Sequence, residues 1–221
     1  MKLPSESSSS EVMVNFAVYT SVRVAANPET NALELPVVNA YEELETKISD
    51  RKRKTKESAS KLAMRDEKED RLDASVMNLS MQILSITGNN REDIRYKSIF
   101  SKTPSSITSE PIKDKKNDIK VLIQKLNGNV QEPTVVKQMD PLQLATDELD
   151  KADLDYETAL VNEQSCFDFE KTAQIALRNI LVKTYGKLID IKGKKGAEKY
   201  FKKSVTTKKK DTKPNNTPVA P

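Results

Sequence analysis

The chain has 221 residues, of which 36% are hydrophobic and 32% charged, with five glycines and no histidine. The lack of histidine excludes Ser-His-Asp and Cys-His catalysis and the Glu-x-x-His di-iron sites of helical bundles. A charge-rich, glycine-poor composition favours long helices around a narrow apolar core.

Charge is unevenly distributed along the chain. From Lys192 to the C-terminus, ten lysines outweigh Glu198 and Asp211, so this tail carries +8 and the preceding 191 residues carry −4 of the net +4. A basic tail of this kind can contact phosphates, anionic lipid or an acidic protein surface.

Cys166 is the only cysteine, so no disulfide can form within the chain, and we interpret it as a small apolar side chain of the core. The first ten residues lack the apolar centre of a secretory signal, and no apolar run approaches the roughly 18 residues of a membrane-spanning helix. We therefore expect a cytoplasmic protein with no transmembrane segment and no metal or cofactor.

Residues 1–36 are predicted to form an N-terminal arm with a strand-like segment at 11–25. Alternation with β-branched residues favours a strand, and the residues that share one parity are Val12, Val14, Phe16, Val18, Val22 and Val24. The best partner within the chain is the segment IRYKSIF at 94–100. Otherwise the strand would pair with another subunit, or the segment would pack in an extended form on the bundle. Self-association through these six residues is the resulting prediction.

Residues 37–87 contain no glycine or proline and are predicted to form one long helix. Two columns at seven-residue spacing indicate a heptad pattern: Leu44, Arg51, Ser58, Arg65, Leu72, Leu79 and Ile86, then Ile48, Thr55, Leu62, Glu69, Val76 and Ile83. Gly88 stands where a C-terminal capping glycine is expected.

A shorter amphipathic helix and a second long helix follow. The short one is indicated by Ile119, Leu122, Ile123 and Leu126, and Asn127-Gly128 should end it. The second long helix should begin at Asp140-Pro141, which supply a cap and a first-turn proline, and run to about Ile191. A third apolar column in this helix indicates more than one neighbour in a bundle: Leu160, Phe167, Gln174, Leu181 and Leu188.

The similar lengths of the two long helices predict an antiparallel pair with its ends aligned. In that register Arg65 lies beside Glu163, and pairing the two charges would offset the cost of burying either alone. The prediction is therefore an ion pair in the core, and the alternative is that both side chains reach solvent.

The tail at 192–221 combines lysines with Tyr200 and Phe201. Lysines can bind nucleic-acid phosphates without sequence specificity and aromatic side chains can stack on bases, although the two aromatics would equally cap the end of the bundle. The candidate phosphate-binding residues are Lys192, Lys194, Lys195, Lys199, Lys202, Lys203, Lys208, Lys209 and Lys210.

Two acidic pairs, Glu42-x-x-Glu45 and Glu67-x-x-Asp70, are the clearest signal for an enzyme. Their spacing resembles that of the all-α nucleotide pyrophosphohydrolases, and this resemblance implies carboxylates gathering Mg²⁺ to activate water. In that family the pairs lie on separate, facing helices, whereas here both fall on one predicted helix. We therefore predict no enzymatic activity.

The fold class that follows is all-α. We predict an elongated antiparallel bundle at 37–191, built on two long helices and a shorter one, preceded by the arm at 1–36 and followed by the basic tail at 192–221. The predicted function is that of a non-catalytic structural or interaction protein that contacts itself or other protein subunits through the bundle and the N-terminal apolar segment. The alternative is association with nucleic acid through the tail.

Overall fold

The computed structural model describes residues 3–5, 7–129 and 133–202, and this part of the chain is all-α, with no β-strand among these residues. The two long helices predicted from the heptad pattern are confirmed. The helices are α1 (Ser10–Ala25), α2 (Glu34–Ile86), α3 (Ile94–Ile99), α4 (Pro104–Thr108), α5 (Ile112–Asn129), α6 (Pro133–Val136) and α7 (Met139–Ala197), with 3-10 turns at Asn31–Leu33 and Glu198–Tyr200.

The chain divides into two compact units, to both of which α2 and α7 contribute. Unit 1 contains Met1–Ser49 and Asp168–Pro221, and unit 2 contains Asp50–Phe167. The described residues of the arm predicted at 1–36 and of the tail predicted at 192–221 both fall in unit 1.

The core of unit 1 lies between α1, the first turns of α2 and the C-terminal part of α7. Each helix contributes one apolar face, because its buried residues recur every three or four positions. The main buried side chains are Met13, Phe16, Val24, Leu33, Val37, Leu44, Leu177, Leu181 and Leu188.

The segment at 11–25 forms helix α1, so the prediction of a strand-like segment is wrong. Ser9 caps the helix, because its hydroxyl accepts a hydrogen bond from the Val12 N–H. Met13 and Ala17, which fall outside the alternating set, are both buried at helical spacing. Packing of this helical face in the core overrides the β-propensity of the valines.

Residues 94–100, considered as a strand partner, are also helical over Ile94–Ile99. The Asp93 side chain caps α3 by accepting from the Arg95 N–H. Tyr96 is buried, with its hydroxyl 3.0 Å from Ser80 Oγ and its ring stacked on Phe100 at 5.2 Å between centroids. Tyr96, Ile99 and Phe100 thus belong to the core of unit 2, whereas Ile94 is exposed.

Glycine ends α2 as predicted and also interrupts α7. Gly88 adopts φ +64°, and the next N–H, that of Asn89, reaches back to the Leu84 carbonyl at 2.8 Å, which is a Schellman closure. Gly193 adopts φ 68°, ψ 166°, a conformation that is essentially restricted to glycine. The helix therefore breaks at Gly193, close to the predicted end at Ile191.

The break at Gly193 brings the aromatic residues of the predicted tail into the core of unit 1. The Phe201 ring lies 5.9 Å from Phe16 and 5.5 Å, edge-on, from Tyr185, measured between centroids. Asn27 Nδ2 donates to the Tyr200 hydroxyl at 3.3 Å. Tyr200 and Phe201 thus cap one end of this core, which was the alternative to base stacking.

The core of unit 2 is formed by the later turns of α2, the helices α3 to α6 and the first turns of α7. Its main buried side chains are Leu72, Val76, Leu79, Ile83, Tyr96, Ile99, Ile119, Leu122, Leu126, Leu142 and Leu149. The predicted amphipathic helix is α5, and its residues Ile119, Leu122 and Leu126 are buried in this core.

Two adjacent lysines attach α5 to both long helices within unit 2. Lys115 is only 1% exposed and donates to Glu69 at 2.6 Å and Asp73 at 2.9 Å on α2. Lys116 contacts Asp150 and Asp153 of α7, both at 2.8 Å. Consecutive residues point to opposite neighbours, so one turn of α5 contacts both long helices.

A polar stretch joins α2 and α7 in unit 2, and there the predicted register is wrong. Only Ser58 and Ala159 are buried among residues 50–71 and 150–167. In the predicted register Lys61 would face residue 167, whereas it pairs with Asp155 at 3.0 Å, twelve residues earlier in α7. Ser80, near the end of α2, contacts Tyr96 of α3 at 3.0 Å.

The predicted ion pair between Arg65 and Glu163 is replaced by other contacts. Glu163 accepts from Ser58 Oγ at 2.5 Å and from Thr55 Oγ1 at 2.8 Å. The Arg65 guanidinium lies 4.8 Å from the ring centroid of Tyr156 and pairs with Asp66 at 2.9 Å. Two hydroxyl groups therefore stabilise the Glu163 carboxylate, and an aromatic ring and Asp66 stabilise the Arg65 guanidinium, in place of the predicted ion pair.

Candidate protein-interaction surface

The outward side of α1 is the most continuous apolar surface that coincides with a sequence-predicted site. Val12 is 50% exposed, Val18 37%, Tyr19 39% and Val22 63%, and the side chain of Asn15 lies exposed among them. We call these five residues the α1 outer face. Four apolar side chains within eleven positions form a patch rather than scattered surface residues.

Hydrogen bonds to α7 hold α1 and the preceding segment in place. Ser10 Oγ donates to Glu170 Oε1 at 2.5 Å, and Gln174 Nε2 donates to the Ser8 carbonyl at 2.7 Å. Arg178 Nη1 donates to the Pro4 carbonyl at 2.5 Å. With Met13 in the core on the opposite side, the α1 outer face is presented by a fixed helix.

The structure separates the six residues predicted for self-association into two groups. Val14, Phe16 and Val24 are buried in the core of unit 1, whereas Val12, Val18 and Val22 are exposed. The alternation pattern therefore mixed core residues with surface residues.

Sequence reasoning missed Asn15 and Tyr19. The signal that could have found them is the spacing of three, four and three residues from Val12 through Asn15 and Tyr19 to Val22, which is helical. The Ser9 cap supports a helix at the same place.

Opposite charges flank the α1 outer face at its two ends. Glu11 lies in the first turn of α1 and Arg23 in the last, and both are exposed. Each sign complements the helix dipole at its own end.

A cavity of about 330 Å³ in unit 1 is lined by residues of the N-terminal segment, α1 and α7. Lys171 and Arg178 contribute cations to its lining, with Ser5, Met13, Gln174, Ile175 and Asn179 completing it. Arg178 donates to the Pro4 carbonyl and so links α7 to the N-terminal segment. Lys171 donates to Gln174 at 3.4 Å, which is a contact within α7.

The described lysines of the predicted tail fall into two groups. Lys192 pairs with Glu29 within unit 1, and this contact raises the pKa of Lys192. The exposed lysines are Lys194, Lys195, Lys199 and Lys202. Lys203, Lys208, Lys209 and Lys210 lie outside the described residues. Since Tyr200 and Phe201 are buried, stacking of bases on them would require the core of unit 1 to open.

Both acidic pairs, at 42–45 and 67–70, lie on the single helix α2. Among the described residues, no group of three or more acidic or cysteine side chains is arranged to hold a metal ion. The same residues include no helix long and apolar enough to cross a membrane.

Comparison with known proteins gives no match: no family model, no curated protein and no solved structure is similar to this chain. Functional inference therefore depends on the geometry described above.

Proposed function

We propose that this chain is a non-catalytic structural protein that self-associates through the α1 outer face. The observation that carries the proposal is the contiguous set Val12, Val18, Tyr19 and Val22, exposed on a helix whose other side is fixed in a core. Removing apolar surface from water is favourable by about 25 cal/mol for each Å². A second copy always presents the same face, so self-association needs no other component.

Val22→Lys tests the proposal, because Val22 is the most exposed apolar residue of the face at 63%. A lysine there is tolerated in the monomer and opposes burial of the face. We expect size-exclusion chromatography with light scattering to give an oligomer for the wild type and a monomer for the variant.

Val182→Lys is the matched control, since Val182 is 49% exposed on α7 in the same unit and lies outside the α1 outer face. This variant should keep the wild-type mass. A wild-type mass for Val22→Lys as well, or a monomeric wild type, would contradict the proposal.

Surface substitution is preferable to deletion of residues 1–26. Deletion would remove Met13, Phe16 and Val24 from the core of unit 1. A loss of mass could then follow from unfolding of that unit, whereas Val22→Lys leaves the core intact.

A second candidate function is contact with nucleic-acid phosphates through the exposed lysines beyond Gly193. Lys194, Lys195, Lys199 and Lys202 are exposed while the neighbouring aromatics are buried, which supports phosphate contact without base stacking. Replacing all four lysines with glutamine should then abolish binding of a mixed-sequence duplex and flatten its salt dependence. Unchanged binding by this variant would exclude these lysines.

A further inference from the structure

We infer that two copies of the chain pair through α1 in an antiparallel arrangement, with a two-fold axis near residue 17. This inference rests on the proposed self-association and assigns its geometry.

Four of the five residues of the α1 outer face have the spacing of a coiled-coil seam. Val12, Asn15, Tyr19 and Val22 follow one another at three, four and three residues, so they occupy alternating a and d positions of a heptad. In an antiparallel pair each a residue lies at the level of a d residue of the other helix. Val12 then meets Val22 of the second copy, and Asn15 meets Tyr19.

The antiparallel layers pair chemically compatible side chains. The two valine layers at the ends are apolar on both sides. In the two central layers, the Asn15 amide and the Tyr19 hydroxyl can exchange a hydrogen bond when the face is buried. A parallel pair would instead bury Asn15 against Asn15 and place the two Tyr19 hydroxyls together.

The charged residues at the two ends of α1 also favour the antiparallel arrangement. In the antiparallel pair each end carries Glu11 of one copy and Arg23 of the other, so unlike charges lie at the same level. A parallel pair would bring Glu11 to Glu11 and Arg23 to Arg23. Antiparallel helix dipoles also oppose one another, which is favourable at short range.

The sequence pattern indicates a second copy rather than an unrelated helix as the occupant. A helix face that binds itself about a two-fold axis perpendicular to the helix must match its own reverse, because residue i contacts j and j contacts i. Val12 and Val22 lie at equal distances from residue 17, as do Asn15 and Tyr19. Val18, on the flank of the seam, lies next to the axis and therefore close to Val18 of the other copy.

Cysteine crosslinking in the full chain tests the geometry, with Cys166→Ser as background because Cys166 is partly exposed. A disulfide requires Cα atoms within about 7 Å. Val18→Cys should crosslink to itself under a mild oxidant. Val12→Cys and Val22→Cys should each remain uncrosslinked alone and should form a mixed dimer when combined.

Self-crosslinking of Val12→Cys and of Val22→Cys, without the mixed product, would overturn the antiparallel geometry in favour of a parallel one. Light scattering of the same samples separates the two proposals. A dimer that yields none of the expected crosslinks contradicts the pairing through α1, whereas a monomer contradicts self-association itself.

Tyr19→Phe and Asn15→Ala provide a second readout of the central layers. Each single variant should weaken the dimer by roughly fivefold or more, because one polar partner is then buried alone. The double variant should weaken the dimer much less than the two single effects combined, since the Asn15 amide and the Tyr19 hydroxyl act as a pair. Additive effects would contradict contact between Asn15 and Tyr19.

Discussion

The Glu163 carboxylate is stabilised by hydrogen bonds in the part of unit 2 that has little apolar core. Hydrogen bonds from Ser58 and Thr55 lower the pKa of Glu163 below its usual value, because they stabilise the carboxylate. A carboxyl whose pKa is lower in the folded state contributes stability above its unfolded pKa, and this contribution disappears as the pH falls through the folded pKa.

Glu163→Gln should therefore reduce the acid sensitivity of the protein. The wild type should lose stability from about pH 4.5, the ordinary pKa of a glutamate, and below it, while the variant loses less over the same range. Urea unfolding at pH 7 and pH 3.5 measures the difference. Equal losses for the two proteins would show that the hydrogen bonds to Glu163 contribute nothing to pH dependence.

Lys115 of unit 2 is a buried cation whose pKa depends on its carboxylate partners. Burial lowers the pKa of Lys115, but the hydrogen bonds to Glu69 and Asp73 outweigh this effect and raise it overall. The same burial raises the pKa of Asp73, against the opposing effect of Lys115. Lys115 and Asp73 therefore depend on each other for their charged forms.

Lys115→Met should destabilise the protein by about 1–3 kcal/mol, because it leaves two partly buried carboxylates without their cation. Lys120→Met is the matched control, since Lys120 is exposed on the same helix and its replacement should change stability by less than about 0.5 kcal/mol. Chemical denaturation measures both, and equal effects would contradict a specific role for Lys115.

At the scale of elements, two glycines of α7 differ in whether the backbone conformation requires glycine. Gly186 lies within the helix with no atom within 4 Å of the position a Cβ would occupy. Gly193 has equal space but a positive φ of 68°. Space is therefore available at both, and only the backbone conformation distinguishes them.

Gly193→Ala should destabilise the protein by about 1–3 kcal/mol, because an L-residue is strained in that conformation. Gly186→Ala should stabilise it by about 0.5–1 kcal/mol through higher helix propensity and a more restricted unfolded chain. Thermal unfolding of the two variants checks the pair. If both substitutions were stabilising, α7 would have to continue through Gly193 as a regular helix.

Heptad positions that are apolar towards both ends of a proline-free stretch were sufficient to predict α2 and α7. The alternation of six residues in the segment at 11–25 predicts a strand, whereas the Ser9 cap and the burial of Met13 and Ala17 distinguish a helix there. The actual contacts of Arg65 and Glu163 could not be predicted, because heptad spacing alone does not fix the register of two antiparallel helices. Of the candidate surface, Val12, Val18 and Val22 were identified from sequence, whereas Asn15 and Tyr19 required the helix.

At the scale of the whole molecule, each unit has its own apolar core, and α2 and α7 run through both. A face left exposed on α1 in unit 1 is therefore available for association without disturbing the core of unit 2. An assembly held by apolar contacts should persist at high salt, whereas phosphate binding by the exposed lysines should weaken steeply.

The mass of the wild-type chain across a hundredfold concentration range, measured by sedimentation equilibrium, tests self-association most directly. We predict a rise from the chain mass of 24.8 kDa towards twice that value, and this rise should persist at high salt. A mass that stays at 24.8 kDa throughout the range would contradict self-association through the α1 outer face.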